Sequence, residues 1–255
     1  MSFVKIDVEN KIAHVTLDRA PANALTDEMY WDIAHAMQEL GERKDVAVIV
    51  LRATGKIFCG GNDISAFSTF DSRAAAEDAA MNAVVATGGI WNCKKPVIAA
   101  VQGACMGAAF AMALVSDFVI GGEGVKFGMP EINLGIPAAG CFLELALPIH
   151  VAKRLAFTGE NVTSEELERW GVVMKTVPRD QVWAEADALA ARLAASCYRA
   201  VGVFKRNFNQ NVNPHLSDKF LVEQHSFMDE MLGSHDFAEA VAAHNEKRAP
   251  QYTGD

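Results

Sequence analysis

Apolar and polar residues alternate along Val4–Val8 and again along Ile12–Leu17, with Glu9 and Asn10 between the two runs. Period-two patterning on either side of a turn residue predicts a β-hairpin with Asn10 in the turn. The next segment, DRAPANAL (Asp18–Leu25), carries Pro and Asn and reads as a loop. Thr26 then stands as a helix N-cap, with Asp27 and Glu28 in the first turn. Met29, Ile33, Met37 and Leu40 recur at helical spacing, and Gly41–Lys44 ends that helix. Val46–Leu51 (VAVIVL) is a near-continuous apolar run, the pattern of a strand buried on both faces. Ala53–Phe67 (ATGKIFCGGNDISAF) is a glycine-bearing loop with one acid, Asp63. Ser72–Trp91 is Ala-rich and predicts a helix, which Cys93–Pro96 breaks before a strand at Val97–Val101.

The stretch Gln102–Asp117 (QGACMGAAFAMALVSD) has no polar side chain from Ala108 to Val115. Strand, small-residue turn, then a helix apolar on every side predicts a buried helix. Its first N–H groups lack intrahelical partners and face little side-chain bulk at Gly107, Ala108 and Ala109. Those small residues fit either an anion-holding turn or tight helix packing, and this stretch alone does not separate the two. Phe118–Ile120 predicts a short strand turned by Gly121–Gly124, and Phe127–Gly140 a loop with Glu131 between two prolines. Cys141–Ala156 reads as one helix, Thr163–Trp170 as the start of another, and Val172–Val177 as a short strand. Four helices follow, at about 181–196, 198–210, 215–232 and 235–248. Residues 1–180 therefore read as an α/β core and 181–255 as a helical region.

The chain of 255 residues is 51% hydrophobic and 22% charged, with a formal charge of −9. That composition is globular, and the negative balance argues against nucleic acid or an anionic membrane as partner. Cys59, Cys93, Cys105, Cys141 and Cys197 are odd in number and lack CxxC spacing, so free thiols in a reducing, cytoplasmic setting are expected, with no zinc site or other metal. No apolar signal core opens the sequence, and no window of about 18 apolar residues predicts a membrane span. The nucleotide-binding glycine motifs, HExxH and GxSxG are absent. Ser234, His235 and Asp236 are consecutive and point in different directions, so they form no triad. The seven histidines do not cluster, and Tyr30, Tyr198 and Tyr252 stand alone.

Three segments remain: FCGGNDIS and GACMGAAF, each after an apolar strand, and MPEINLGIP, which supplies a carboxylate. In this order and spacing they resemble the enoyl-CoA hydratase/isomerase (crotonase) superfamily, together with the APANAL loop and the C-terminal HNEKR segment. The resemblance implies a crotonase-like spiral of ββα units with a C-terminal helical trimerisation region, as a homotrimer or homohexamer. It implies an acyl-CoA thioester as substrate, with coenzyme A as part of that substrate and no separately bound cofactor. The backbone N–H groups of Asn62 and Ala108 would form an oxyanion hole; the family usually has glycine where Ala108 stands. Ala22 and Ala24 would lie along the nucleotide and pantetheine, and the Asn62–Ser65 loop, with Asp63 and Ile64, would border the adenine. Lys247 matches a lysine that reaches the CoA phosphates of a neighbouring subunit.

The same resemblance exposes a departure. Typical hydratases of the family use two glutamates, and here the second is Glu131 while the first falls at Ala111. One carboxyl can move a proton along the acyl chain, as an isomerase, or activate water and deliver the proton, as a hydratase. As a general acid it needs a raised pKa, which burial near Met129, Pro130 and Ile132 supplies. Hydroxycinnamoyl-CoA hydratase-lyases also lack the first glutamate but place a tyrosine where Phe67 stands, which here implies an apolar acyl pocket. A single-glutamate lyase, a C–C bond-forming member and an inactive acyl-CoA-binding protein stand as the alternatives.

Overall fold

Alternate residues of the central strands belong to two different cores, which is why their sequences read as continuous apolar runs. The computed structural model describes residues 2–63, 73–137 and 139–254. In β3 (Val48–Ala53), Ile49, Leu51 and Ala53 join one cluster with Met29, Ile33 and Leu40. Val48 and Val50 of the same strand join a second with Val182, Ala186 and Leu189. Strand β4 (Val97–Val101) divides likewise: Val97, Ala99 and Val101 on one side, Ile98 and Ala100 on the other.

Six strands form the main sheet, in the order β1 (Val4–Glu9), β2 (Ile12–Leu17), β3, β4, β6 (Phe118–Gly122), β9 (Lys175–Val177). The hairpin β1–β2 is antiparallel, with Asn10 and Lys11 at positive φ in its turn, and every later pairing in this sheet is parallel. Helix α1 (Asp27–Glu42) starts at the expected cap, where the Thr26 hydroxyl accepts from Met29 N at 3.3 Å. It packs with α2 (Arg73–Asn92) on the first face. Helix α3 (Ala108–Leu114) lies in the same core, with six of its seven residues buried. Helix α7 (Val182–Ala194) covers the opposite face.

Three local features depart from the sequence pattern. Cys105–Met106 form a short strand, β5, which pairs with β7 (Lys126–Gly128), itself paired with β8 (Val162–Thr163) in a second sheet. The stretch 141–156 is two helices, α4 (Gly140–Ala146) and α5 (Ile149–Thr158). Pro148 cannot donate an N–H, and Leu147 before it is extended, so one helix cannot run through. The segment 127–140 is more than a loop, since Pro130–Leu134 form a 3-10 helix. Helix α6 (Ser164–Arg169) opens with a capping box between Thr163 and Glu166. The last three helices are α8 (Tyr198–Val212), α9 (Leu216–Glu230) and α10 (His235–Glu246). A buried ion pair, Lys205 Nζ to Asp117 Oδ2 at 2.7 Å, ties α8 to the sheet where β4 begins. No helix among the described residues is long and apolar enough to cross a membrane.

Candidate active site

Residues 59–63 run as an extended strip held on both edges. On one edge Cys59 pairs with β5: its N–H donates to Ala104 O and its carbonyl accepts from Met106 N. On the other, Gly60 N donates to Ala22 O, Leu25 N to Gly61 O and Asp63 N to Leu25 O. Buried Asn23, at φ 50°, clamps the base of the strip by donating from Nδ2 to the carbonyls of Thr54, Ile57 and Phe58. These bonds use the amides on either side of Asn62. The Asn62 N–H is left facing the other way, unpaired among the described residues.

The second turn approaches this one closely. Gly61 has φ 90°, and a Cβ on it would lie 2.9 Å from Met106 O and 3.7 Å from Gly107 Cα, so only glycine fits. Gly107, at φ 56°, bends the chain out of β5 into α3 and donates its own N–H to Gly128 O at 2.8 Å. The N–H of Ala108, first in the helix, is unpaired among the described residues. Two unpaired donors on adjoining turns are the arrangement an oxyanion requires.

Glu131 arrives from the 3-10 helix. Pro130 starts that helix, and Gly135 in left-handed conformation ends it by donating to the Glu131 and Ile132 carbonyls. Its side chain occupies the space that a side chain at 107 would need: a Cβ on Gly107 would sit 2.1 Å from Glu131 Oε1. Oε2 is buried without a hydrogen-bond partner among the described residues. Burial pushes the carboxyl pKa up to about 7, against a smaller opposing pull from its own backbone N–H. Near neutral pH the group therefore both accepts and donates a proton.

Asn62, Ala108, Ala111 and Glu131 line one cavity, of about 60 Å³, with apolar residues from α2 and with Phe220, Gln224 and Phe227 from α9. Among the described lining residues Glu131 is the one titratable group. Ala111 is buried beside it and offers only a methyl group. A larger groove of about 850 Å³, between the end of α2 and α8, shares no lining residue with this cavity. The buried carboxyl and the residues of the two unpaired donors meet in the smaller one.

The other sequence candidates fall around this centre. Ala22 and Ala24 sit half-buried in the loop that flanks the 59–63 strip, and both spend their carbonyls, on Gly60 N and the Arg19 guanidinium. The Asp63 carboxylate meets Arg19 at 2.7 Å. Ile64 and Phe67 lie outside the described residues. Lys247 ends α10, exposed and away from the cavity lining. One expectation is corrected: Tyr30 does not stand alone. It is buried, its hydroxyl donates to Asn62 Oδ1, and its pKa is raised well above the usual value by burial, with the charge of Glu131 adding to the rise. Its position in α1 gave no local signal, because the contact crosses from helix to strip. Gln224 was missed for the same reason.

Comparison with known proteins places this site in context. The family model for enoyl-CoA hydratase/isomerase matches residues 7–255. A (7aS)-7a-methyl-1,5-dioxo-2,3,5,6,7,7a-hexahydro-1H-indene-carboxyl-CoA hydrolase of Mycobacterium tuberculosis is 33% identical over 209 residues, covering 82% of this chain and 85% of that one. A probable enoyl-CoA hydratase of Mycobacterium leprae is 32% identical over 254 residues, covering 98% and 97%. The crystal structure of an enoyl-CoA hydratase from Mycobacterium avium subsp. paratuberculosis superimposes with a TM-score of 0.86 at 25% identity, over 99% of both chains.

Proposed function

Because the chain belongs to the enoyl-CoA hydratase/isomerase family, has the crotonase fold and acts on acyl-CoA thioesters, we propose that Glu131 is the single acid/base group of an enoyl-CoA hydratase or isomerase. The N–H groups of Asn62 and Ala108 hold the thioester oxygen. As an isomerase, the Glu131 carboxylate removes a proton from the carbon next to the thioester. Negative charge moves to the thioester oxygen, between the two donors, and the protonated carboxyl returns the proton further along the chain. As a hydratase, the carboxylate takes a proton from water as its oxygen attacks the β-carbon, then gives that proton to the α-carbon. Each oxyanion donor is worth roughly 3–4 kcal/mol in the transition state.

One observation carries this reading: a buried carboxyl with pKa about 7 lies against Gly107, one residue before an unpaired helical N–H. The test is Glu131→Gln, assayed on 2-enoyl-CoA and 3-enoyl-CoA substrates with product identification by mass spectrometry. Turnover should fall on the order of 100- to 10,000-fold, and unchanged turnover on every accepted thioester overturns the assignment. A 3-hydroxyacyl product identifies hydration and a shifted double bond identifies isomerisation.

Substrate binding follows the same proposal. Ala22, Ala24, Asp63 and Ile64 border the CoA moiety, Phe67 and Ala111 the acyl group, and Lys247 a CoA phosphate of a neighbouring subunit. The assembly is a homotrimer or homohexamer formed through the helical region 181–255. In its support, α8 exposes Val203, Phe204, Phe208 and Val212, an apolar face with no partner among the described residues of one chain. Light scattering coupled to size exclusion reads the assembly directly.

A further inference from the structure

The cavity wall contributed by α9 contains one residue that packing does not explain. Phe220, Gln224 and Phe227 stand at i, i+4 and i+7, so they share a face, and all three line the cavity. The two rings are fixed from behind: Phe220 lies 5.1 Å from Phe142 and Phe227 lies 5.3 Å from Phe237, centroid to centroid. Between them Gln224 is 8% exposed. Its amide lines the cavity and makes no hydrogen bond to any described residue. Asn62 Oδ1 accepts from Tyr30, the Thr87 hydroxyl donates to Ala83 O at 2.7 Å, and Glu131 is the reacting carboxyl. Helix α2 adds the methyl groups of Ala76, Ala79, Ala80 and Ala83 to the lining.

An amide that lines a largely apolar cavity has no protein partner there, and a leucine or methionine would give the same wall without a polar group to solvate. An amide aimed into a substrate cavity gains its bonds when a ligand supplies the matching group. We propose that Gln224 is a specificity-determining residue that hydrogen-bonds a neutral oxygen substituent, a ketone or hydroxyl, on the acyl chain beyond the reacting carbons. The inference rests on the acyl-CoA reading of this cavity. A carboxylate in that place is disfavoured, because no Lys or Arg is among the described lining residues and the Glu131 charge opposes it. A plain hydrocarbon chain leaves the amide unpaired. The enzyme thus prefers oxygenated acyl-CoA thioesters to simple fatty acyl ones.

The experiment measures equilibrium binding, so it does not depend on which reaction Glu131 performs. Octanoyl-CoA and its 5-, 6- and 7-oxo analogues, all saturated and unreactive toward hydration, are titrated calorimetrically into the wild type, Gln224→Met, Gln224→Leu and Glu131→Gln. In the wild type at least one oxo analogue should bind on the order of 10-fold tighter than octanoyl-CoA. Both Gln224 variants should lose that preference, while octanoyl-CoA binds them at least as tightly as it binds the wild type. Glu131→Gln should keep the preference, which separates the role of Gln224 from the catalytic assignment. The proposal is overturned if no oxo analogue is preferred, or if the preference survives in either Gln224 variant. If the wild type binds none of the four thioesters, the acyl-CoA reading of the cavity falls, and this inference with it.

Discussion

Replacing Glu131 by glutamine should make the protein more stable, and by an amount that depends on pH. The carboxyl titrates at about 7 in the folded chain against a reference value of 4.5, and burial is the main cause. For a carboxyl this is a raised pKa, so the folded state binds the proton more tightly than the unfolded state. Stability is complete below pH 4.5 and is lost as the pH climbs toward 7, because ionising the buried group costs more than ionising it in water. At 1.36 kcal/mol per pH unit, the cost is about 1 kcal/mol at pH 5 and about 3 kcal/mol at pH 8. The glutamine variant carries no such cost. Urea denaturation of both proteins between pH 5 and pH 8 should therefore show the variant's advantage growing by about 2.5 kcal/mol over that range. The same titration should form the acid limb of kcat/KM in the wild type, rising with pH to a plateau above about 7. A stability difference that is flat with pH, or one that favours the wild type more as pH rises, refutes the argument that burial alone holds the proton on Glu131.

Three further substitutions test the supports of the site. Gly107→Ala places a Cβ 2.1 Å from Glu131 Oε1 at φ 56°, so the carboxyl must swing away; turnover should fall at least about 100-fold, and wild-type kinetics would show that the carboxyl has other room. Tyr30→Phe removes the hydroxyl that holds the Asn62 side chain; steady-state assays should show kcat down on the order of tenfold with KM nearly unchanged, and a change confined to KM counts against a positioning role. Lys205→Met leaves Asp117 buried without its cation; urea unfolding should show a loss of about 3–5 kcal/mol, partly recovered by adding Asp117→Asn, and a loss below about 1 kcal/mol would mean the pair does not anchor α8.

What could be read in the sequence divides along a physical line. The strands of the main sheet were legible because two cores make both faces apolar, and α1 because its stripe of Met29, Ile33, Met37 and Leu40 follows a capping threonine. The close approach of the two glycine-bearing turns was legible because backbone groups can be exposed only where side chains are small, which leaves Gly61, Gly107 and Ala108 as a local trace. Side chains that reach the site from elsewhere leave no such trace. Tyr30 is one position on an amphipathic helix, and Gln224 is one polar residue on another; each acquires its role from what tertiary packing sets opposite it. The break at Leu147–Pro148 was missed for a different reason, since apolar periodicity continues across it while the backbone cannot.

Ala111 stands where typical hydratases of the family carry their first glutamate, and it lines the same cavity as Glu131. A second carboxylate there would face Glu131 across the cavity, and like charge would join burial in setting the proton affinity of both groups. With a methyl group instead, no cation and no second acid is among the described lining residues, and the Glu131 pKa is governed by desolvation. Desolvation responds to what fills the cavity. On the proposed mechanism, an acyl group that displaces water from the cavity strengthens the hold on the proton, whereas a thioester oxygen that draws charge toward the Asn62 and Ala108 donors takes charge away from the carbon being deprotonated. If Glu131 is the acid/base group, the proton is exchanged between one carboxyl and one carbon, with the balance set by how completely the substrate seals the pocket. The residues that decide this seal are those of α2 and α9, Ala76, Ala80, Phe220, Gln224 and Phe227, and not a second acid. On this proposal reaction specificity and substrate specificity share one wall: an acyl group that satisfies Gln224 would also close the cavity over Glu131.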